Sequence, residues 1–203
     1  MSRKQAAAPR KVGIIIANTG TPEAPTRKAV KKYLSQFLMD PRICPMPRPV
    51  WWTLLHTTIL RKRSRASAEK YQKIWTEEGS PLVAITASLE RGLNDYYAEQ
   101  GLPVVVRAGM SYGKPSLKRA VKELKEEGVW VFGTAADGTT DLYGADLKGP
   151  AAIVIGSEGS GMTRLAAENC DFLVSIPMKG RISSLNASAA AAILLYEAVR
   201  QRG

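Results

Sequence analysis

The residues best suited to hold a small molecule lie in the last third of the chain, in two loops that each follow a short apolar strand. The first loop reads Gly156-Ser157-Glu158-Gly159-Ser160-Gly161 and follows Ile153-Val154-Ile155. Its glycines allow positive φ angles and a close approach of backbone N–H groups to a ligand. The second loop begins at Pro177, after Leu173-Val174-Ser175-Ile176. Because parallel α/β sheets bind small molecules where their strands end, the two loops predict one ligand pocket.

The motifs of this region resemble the carboxyl half of the SpoU-type RNA 2′-O-ribose methyltransferases, which belong to the knotted SPOUT class. In chain order they are I-G-S-E-G-S-G (155–161), C-D (170–171), I-P-M-K-G (176–180), S-L-N-A-S-A-A (184–190) and Y-E-A-V-R-Q-R (196–202). Further matching residues are Trp130–Thr134 and Asp146–Pro150. The resemblance covers roughly residues 120–203 and implies S-adenosylmethionine as the cofactor and RNA as a partner.

The resemblance also assigns site residues. It implies that the cofactor is bound by Gly156, Ser157, Gly159, Ile176, Met178 and Leu185. It further implies that the site and its substrate are ordered by Glu158, Ser184 and Asn186. Two ordinary alternatives stay open, because Glu158 could be a solvated loop carboxylate and Ser184 and Asn186 could cap the following helix.

The first motif of that family, an Asn with an Arg six residues later, has no counterpart in the amino half. The candidate substitute is Arg27, nine residues after Asn18. Its ordinary alternative is an exposed arginine at the start of a helix.

The same resemblance implies a trefoil knot threaded by roughly residues 150–200 and a homodimer formed through the C-terminal helix. The small side chains of 187–192, followed by Ile193, Leu194 and Tyr196, would allow close contact between helices of two subunits. The alternative is an ordinary core helix.

The front of the chain resembles a different family, the amino-terminal half of the ferrochelatases, which insert ferrous iron into protoporphyrin. The matching segments are G-I-I-I-A-N-T-G-T-P-E-A-P (13–25), Y-L-S-Q-F-L-M-D-P-R (33–42), P-R-P-V-W-W-T-L-L-H (47–56), Y-Q-K-I-W-T-E-E-G-S-P-L (71–82) and M-S-Y-G-K-P-S (110–116). The resemblance runs from about residue 12 to 120. It implies a porphyrin-facing edge at Trp51, Trp52 and Tyr112.

The stretch 44–55 contains three prolines, which predict an irregular segment, bordered by two tryptophans and basic residues. It is a candidate lip for a membrane surface or a flat aromatic ligand. Alternatively, its tryptophans pack on the core. The family's catalytic His and Glu belong to the missing carboxyl half, and His56, the single histidine, does not match that motif.

The chain is therefore predicted to be a chimera joined within about residues 117–129. Its expected parts are a disordered basic lead (1–11), a ferrochelatase-like half (12–120) and a SPOUT-like half (121–203). Apolar runs predict five parallel strands near 12–17, 103–108, 129–133, 151–155 and 171–176. Helical spacing predicts helices near 27–38, 67–75, 82–100 and 116–127, and a fifth after Ser184. The predicted fold class is α/β, a three-layer sandwich with a mostly parallel sheet.

Composition limits the remaining possibilities. Apolar residues make up 45% of the chain and charged residues 23%, as in a soluble globular protein. The net charge of +11 is uneven, since residues 1–128 hold 23 basic and 11 acidic side chains while residues 129–203 hold 6 and 7. The basic front favours an acidic partner, phosphate or an anionic membrane, or is simply a solvated surface. Two cysteines predict neither a disulfide framework nor a metal site, and the expected compartment is the cytoplasm.

Overall fold

A computed structural model of the chain describes residues 11–40, 43–44, 46–156, 161–162, 164–179 and 185–203. The strands are β1 (Val12–Gly20), β2 (Val104–Tyr112), β3 (Trp130–Thr134), β4 (Thr140–Asp141), β5 (Ala151–Val154) and β6 (Phe172–Ser175). The helices are α1 (Arg27–Leu38), α2 (Arg48–Leu54), α3 (Leu60–Ile74), α4 (Pro81–Glu99), α5 (Leu117–Glu126), α6 (Arg164–Asn169) and α7 (Ala187–Arg202). The predicted lead at 1–11 lies outside the described residues, apart from Lys11.

The strands form one sheet in the order β2-β1-β5-β3-β6-β4. The pairs β1–β5, β3–β5, β3–β6 and β4–β6 are parallel. This confirms the predicted α/β class and the mostly parallel sheet. The sequence pattern missed the two-residue strand β4, because a strand that short has no periodicity to detect.

Contacts divide the chain into two compact units. Unit 1 contains residues 1–15, 92–107 and 118–203, and unit 2 contains residues 16–91 and 108–117. These units interleave along the chain: one change of unit, between residues 117 and 118, lies near the expected boundary, but residues 1–15 and 92–107 of the front half belong to unit 1. The division into two family-like halves stays a prediction.

In unit 1 the sheet is covered on both faces, because neighbouring residues of a strand point to opposite sides. Phe132, Ala151 and Val174 pack in one cluster with Leu194 and Ala198 of α7. The adjacent Val131 and Ala152 pack in a second cluster with Val121 and Leu124 of α5. A helix therefore lies on each face of this part of the sheet.

In unit 2 the strands β1 and β2 are longer than predicted. The strands predicted near 12–17 and 103–108 continue through residues 18–20 and 109–112. The two strands are neighbours in the sheet, and both extend past the apolar runs that the sequence pattern detects. At Gly20, where φ is +103°, a β-carbon would lie only 1.8 Å from the carbonyl oxygen of Tyr112, so the close approach of the strands requires glycine.

The expectation of an irregular segment at 44–55 is wrong from Arg48 onward. Helix α2 begins at Arg48, continues through a π-helical turn at Leu55–Ile59 and runs on as α3. Pro47 precedes the helix and Pro49 lies in its first turn, where a missing backbone N–H costs no intrahelical hydrogen bond. The prolines therefore mark a helix start.

Candidate functional site

Unit 1 contains a cavity of about 540 Å³ at the carboxyl ends of β3, β5 and β6. It is bordered by the loop after β3, the end of β5, part of α6, the segment after β6 and the start of α7. Its lining residues are Thr134, Ala135, Ala136, Asp137, Ile155, Gly156, Gly161, Met162, Ala167, Leu173, Val174, Ile176, Met178, Leu185, Ala187 and Ala190. The volume falls in the range of small-molecule sites.

Four residues that the sequence assigned to the cofactor line this cavity: Gly156, Ile176, Met178 and Leu185. They come from two loops about twenty residues apart, which the parallel arrangement of β5 and β6 on either side of β3 brings to one edge of the sheet. The predicted residues Ser157, Glu158, Gly159 and Ser184 lie outside the described residues, so their roles stay predictions.

The turn after β5 is held by a residue that the sequence analysis did not single out. The hydroxyl of Thr134, at the end of β3, donates to the carbonyl of Val154 at 3.2 Å and accepts from the N–H of Gly156 at 3.3 Å. Thr134 thus links the ends of β3 and β5 at the cavity wall. The sequence signal that could have identified Thr134 is its position at the end of the W-V-F-G-T segment (130–134).

Position 156 requires a glycine because a larger residue does not fit there. A β-carbon at this position would lie 2.6 Å from both the carbonyl carbon of Gly161 and the backbone nitrogen of Met162. Such a contact with backbone atoms cannot be relieved by a side-chain rotation. The glycine therefore allows residues 161–162 to close one side of the cavity.

The side chains that line the cavity are mostly apolar. Ile155, Ile176 and Leu185 offer surface for a flat ring, while Asp137 is the only acidic side chain among the lining residues in the described part of the chain. A carboxylate accepts hydrogen bonds from hydroxyl or ammonium groups. Apolar side chains with one such acceptor suit a nucleoside that carries both hydroxyl groups and an ammonium group.

Asn186 has the capping role that the sequence analysis left open. Its Oδ1 accepts from the N–H groups of Ser188 at 2.9 Å and Ala189 at 3.4 Å, at the start of α7. The cap sets where α7 begins and so places Ala187 and Ala190 at the cavity.

The two tryptophans of α2 have different environments. The indole N–H of Trp51 donates to the carbonyl of Leu38 at 2.6 Å, and its ring packs beside the buried Leu55 and Leu60, as the core-packing alternative predicts. Trp52 is 54% exposed and stacks on His56 with ring centroids 4.6 Å apart. Only Trp52 presents its ring to an incoming ligand.

The remaining front-half candidates also lie in unit 2. Tyr112 donates its hydroxyl hydrogen to Asp40 at 2.5 Å and packs edge-on against Phe37. Arg27 is exposed in the first turn of α1, and its guanidinium donates to the carbonyl of Arg61 at 3.4 Å. Arg27 therefore lies in a different unit from the cavity.

The thiol of Cys170 is partly buried in unit 1. Burial raises the pKa of Cys170 to about 11, so its thiol stays protonated at neutral pH. Among the residues that the structure describes, no three His, Cys, Asp or Glu side chains form a cluster that could hold a metal ion. Within the same residues, no helix is both long and apolar enough to cross a bilayer.

A family model described as Ferrochelatase matches residues 11–132, more than half of the chain. The chain belongs to the ferrochelatase family. Curated relatives include ferrochelatases from Marinobacter nauticus, 46% identical over 122 residues, and Actinobacillus pleuropneumoniae serotype 3, 48% identical over 119 residues. These alignments cover 60% and 59% of this chain but 33% and 37% of the relatives, so this ferrochelatase-family chain spans about a third of their length.

A second family model, described as the SpoU rRNA Methylase family, matches residues 109–196. The two models overlap at residues 109–132, which include the predicted joint, and together they show the chimera. Similar solved structures include the A. aeolicus TrmH/SpoU tRNA modifying enzyme, which is 30% identical in sequence. The match covers 49% of this chain and 48% of that enzyme, with a TM-score of 0.42. Another is the SpoU methyltransferase AviRb from Streptomyces viridochromogenes in complex with AdoMet, with 20% identity, 99% and 64% coverage and a TM-score of 0.44.

Proposed function

We propose that the SpoU-like part of the chain binds S-adenosylmethionine in the unit 1 cavity. The observation that carries the proposal is the meeting of Gly156 with Ile176, Met178 and Leu185 in one cavity. The match of residues 109–196 to the SpoU rRNA Methylase family supports it. The activity that this match implies is methylation of an RNA ribose 2′-hydroxyl.

The lining residues fit the chemical groups of this cofactor. Ile155, Ile176 and Leu185 would cover the adenine ring, and the carboxylate of Asp137 would accept hydrogen bonds from ribose hydroxyls or from the amino group of the methionine part. When bound, the cofactor supplies a methyl group on a positively charged sulfur. The chain's part is to hold it with the methyl group accessible and to exclude water from the apolar wall.

Methyl transfer needs more than the cofactor pocket. We propose that Glu158, Ser184 and Asn186 order the RNA ribose, with Asn186 acting through its cap of α7. The family's first motif is missing, so we expect cofactor binding to be retained more fully than turnover. Arg27 stays the only candidate for the missing arginine.

Calorimetric titration with S-adenosylhomocysteine tests the cofactor site. Ala190→Phe places a ring in the cavity, while Ala98→Phe places the same ring on the exposed surface of α4. We expect binding by the wild type and by Ala98→Phe, and at least a tenfold loss in Ala190→Phe. Absence of heat in the wild type up to millimolar ligand, or equal binding by both variants, would contradict the proposal.

A second candidate function is porphyrin binding by the ferrochelatase-like part. The exposed Trp52 ring, stacked on His56, favours it. Titration of protoporphyrin should shift its absorption band, and Trp52→Ala should abolish the shift. Trp51→Ala is the less informative variant, because it also removes the hydrogen bond to Leu38. Iron insertion is not part of this proposal, because the matched segment is about a third of the relatives' length and His56 does not match the family's catalytic motif. If neither ligand binds, the chain is a non-catalytic chimera.

We further propose that the protein acts in the cytoplasm as a homodimer formed through α7. Leu195, Tyr196 and Val199 are 57%, 73% and 67% exposed on one side of this helix, which favours contact with another subunit over an ordinary core helix.

Val50, Trp52 and Leu54 are exposed on α2 beside Arg48, and we propose this surface for peripheral membrane contact. The threaded knot also stays a proposal, since its path includes residues 180–184, outside the described part.

A further inference from the structure

Helices α1 and α3 of unit 2 form a strongly basic pair. Together they carry ten lysines and arginines and a single acidic residue, Glu69. The basic residues are Arg27, Lys28, Lys31, Lys32, Arg61, Lys62, Arg63, Arg65, Lys70 and Lys73, and all are exposed. This pair accounts for much of the basic charge in the front of the chain.

The packing of the two helices keeps these charges on the outside. Val30 and Tyr33 of α1 are buried, as are Leu60, Ser64 and Ala68 of α3. The rings of Tyr33 and Tyr71 meet edge-on across the pair with centroids 6.5 Å apart. The contact of the Arg27 guanidinium with the Arg61 carbonyl joins the first turns of the two helices. The basic side chains are thus presented by a packed scaffold.

Few of these charges are neutralised by the protein. Lys32 pairs with Glu23 at 3.2 Å, and Arg65 pairs with Glu69 at 3.4 Å. Among the described residues, no ion pair is formed by Lys28, Lys31, Lys62 or Arg63. Repulsion between like charges this close in sequence is relieved by an external polyanion.

The surface has the chemistry of a phosphodiester-binding face rather than of a membrane anchor. Attachment to lipid requires apolar side chains among the basic ones. The only large apolar side chain strongly exposed on α1 or α3 is Ile74, at the last residue of α3. The exposed apolar side chains of this region lie instead on and just before α2. Four arginines add planar donors that suit phosphate oxygens.

We propose that the α1–α3 face binds the phosphate backbone of RNA. The inference rests on the proposed function only in taking RNA as the polyanion. It gives the ferrochelatase-like part a role that needs neither porphyrin nor iron. Binding at this face depends on charge and is sequence-tolerant, since phosphate contacts carry no base information.

Fluorescence anisotropy with a short single-stranded RNA tests the proposal on the full chain. The test variant is Lys28→Gln/Lys31→Gln/Lys62→Gln/Arg63→Gln, in which glutamine preserves helix propensity. The control, Arg91→Gln/Lys118→Gln/Lys122→Gln/Lys148→Gln, removes three lysines and one arginine from exposed positions elsewhere. We expect the test variant to bind at least tenfold more weakly than the control. The slope of its log affinity against log salt should be smaller in magnitude by about 2 to 3, since each lost phosphate contact removes about 0.7 from the slope.

Equal weakening in both variants, or no weakening in the test variant, would overturn the proposal. So would loss of binding to vesicles of anionic phospholipid in the test variant with its RNA affinity unchanged, because the surface would then serve a membrane. Titration of S-adenosylhomocysteine into the wild type and the same variant separates this proposal from the cofactor site. Retained cofactor binding with lost RNA binding in the variant supports both proposals. Absence of cofactor binding in the wild type, with RNA binding still lost in the variant, would remove the proposed cavity function and leave the α1–α3 proposal standing.

Discussion

Gln201 joins the end of α7 to the segment before β5, and the buried Glu197 of the same helix holds its side chain in place. The carboxylate of Glu197 accepts from Arg200 at 2.7 and 2.8 Å and from the Gln201 amide at 2.8 Å. The same Gln201 binds the carbonyl of Ala145 and the N–H of Leu147, both at 2.9 Å. The closing Y-E-A-V-R-Q-R motif, singled out only for its resemblance, therefore has a structural role in fixing the approach to β5.

This network predicts a pH dependence. Hydrogen bonds from Arg200 and Gln201 lower the pKa of Glu197 to about 2, from the ordinary value of 4.5. A carboxylate whose pKa is lower in the folded state stabilises the fold above the unfolded-state pKa, and this contribution is lost as the pH falls from about 4.5 to about 2. Denaturant unfolding should show Glu197→Gln less stable than wild type at pH 7, with the difference shrinking through that window. The exposed Glu99→Gln should show no such change, and a constant difference for Glu197→Gln would contradict the account.

Thr134 offers a second test at the residue scale. Thr134→Val keeps the side-chain shape but removes both hydrogen bonds that hold the Gly156 turn. The unfolding free energy should fall by about 1 to 2 kcal/mol. Affinity for S-adenosylhomocysteine should fall about three- to tenfold, which is about 0.7 to 1.4 kcal/mol of binding free energy, because only part of the lost stability bears on the cavity. The exposed Thr139→Val, in the loop after β3, is the control, and equal effects would show that the Thr134 hydroxyl does not position the turn.

Among the elements, the helices with clear spacing and caps could be predicted closely from the sequence, while strand ends and the proline-rich helix could not. Helix α1 covers Arg27–Leu38 as the helical spacing predicts, and Thr26 caps it by accepting from the N–H of Ala29 at 3.3 Å. The extension of β1 to Gly20 depends on its neighbour β2, distant in sequence. The start of α2 was misjudged because proline disfavours a helix interior but is tolerated in its first turn.

The end of β1 gives the sharpest test at this scale. Gly20→Ala would combine a positive φ with a contact to the Tyr112 carbonyl, so we expect the unfolding free energy to fall by about 2 kcal/mol or more. Gly92→Ala, in α4 with no atom near the added carbon, should instead stabilise by about 0.5 to 1 kcal/mol. Urea unfolding measures both, and a neutral Gly20→Ala would show that the strand end is not as close as described.

For the whole molecule, the informative feature is that strands matched by different families form one sheet. Val12 of β1, in the ferrochelatase match, pairs in parallel with Ala151 of β5, in the SpoU match. A β-carbon on Gly13 would lie 3.0 Å from the Ala152 β-carbon, so the two parts are closely packed there. The chimera could be predicted from ordered motifs. The sheet order could not, because apolar runs such as residues 13–17 do not specify their neighbours.

The subunit composition belongs to the same scale. If α7 forms the dimer interface, light scattering should give twice the chain mass of 22.1 kDa, and Tyr196→Glu should give the monomer mass. Tyr96→Glu, at another exposed tyrosine, should remain dimeric. A monomeric wild type, or a dimer unaffected by Tyr196→Glu, would contradict the α7 interface.

The central claim is that the cavity between the Gly156 turn and the start of α7 holds a sulfonium nucleoside. The most direct measurement is a crystal structure of the protein grown with S-adenosylhomocysteine. The account predicts density for the ligand against Ile176 and Leu185, with Asp137 within hydrogen-bonding distance of a ribose hydroxyl or the amino group. Density for the ligand at any other place, or an empty cavity in crystals grown at saturating ligand, would contradict it.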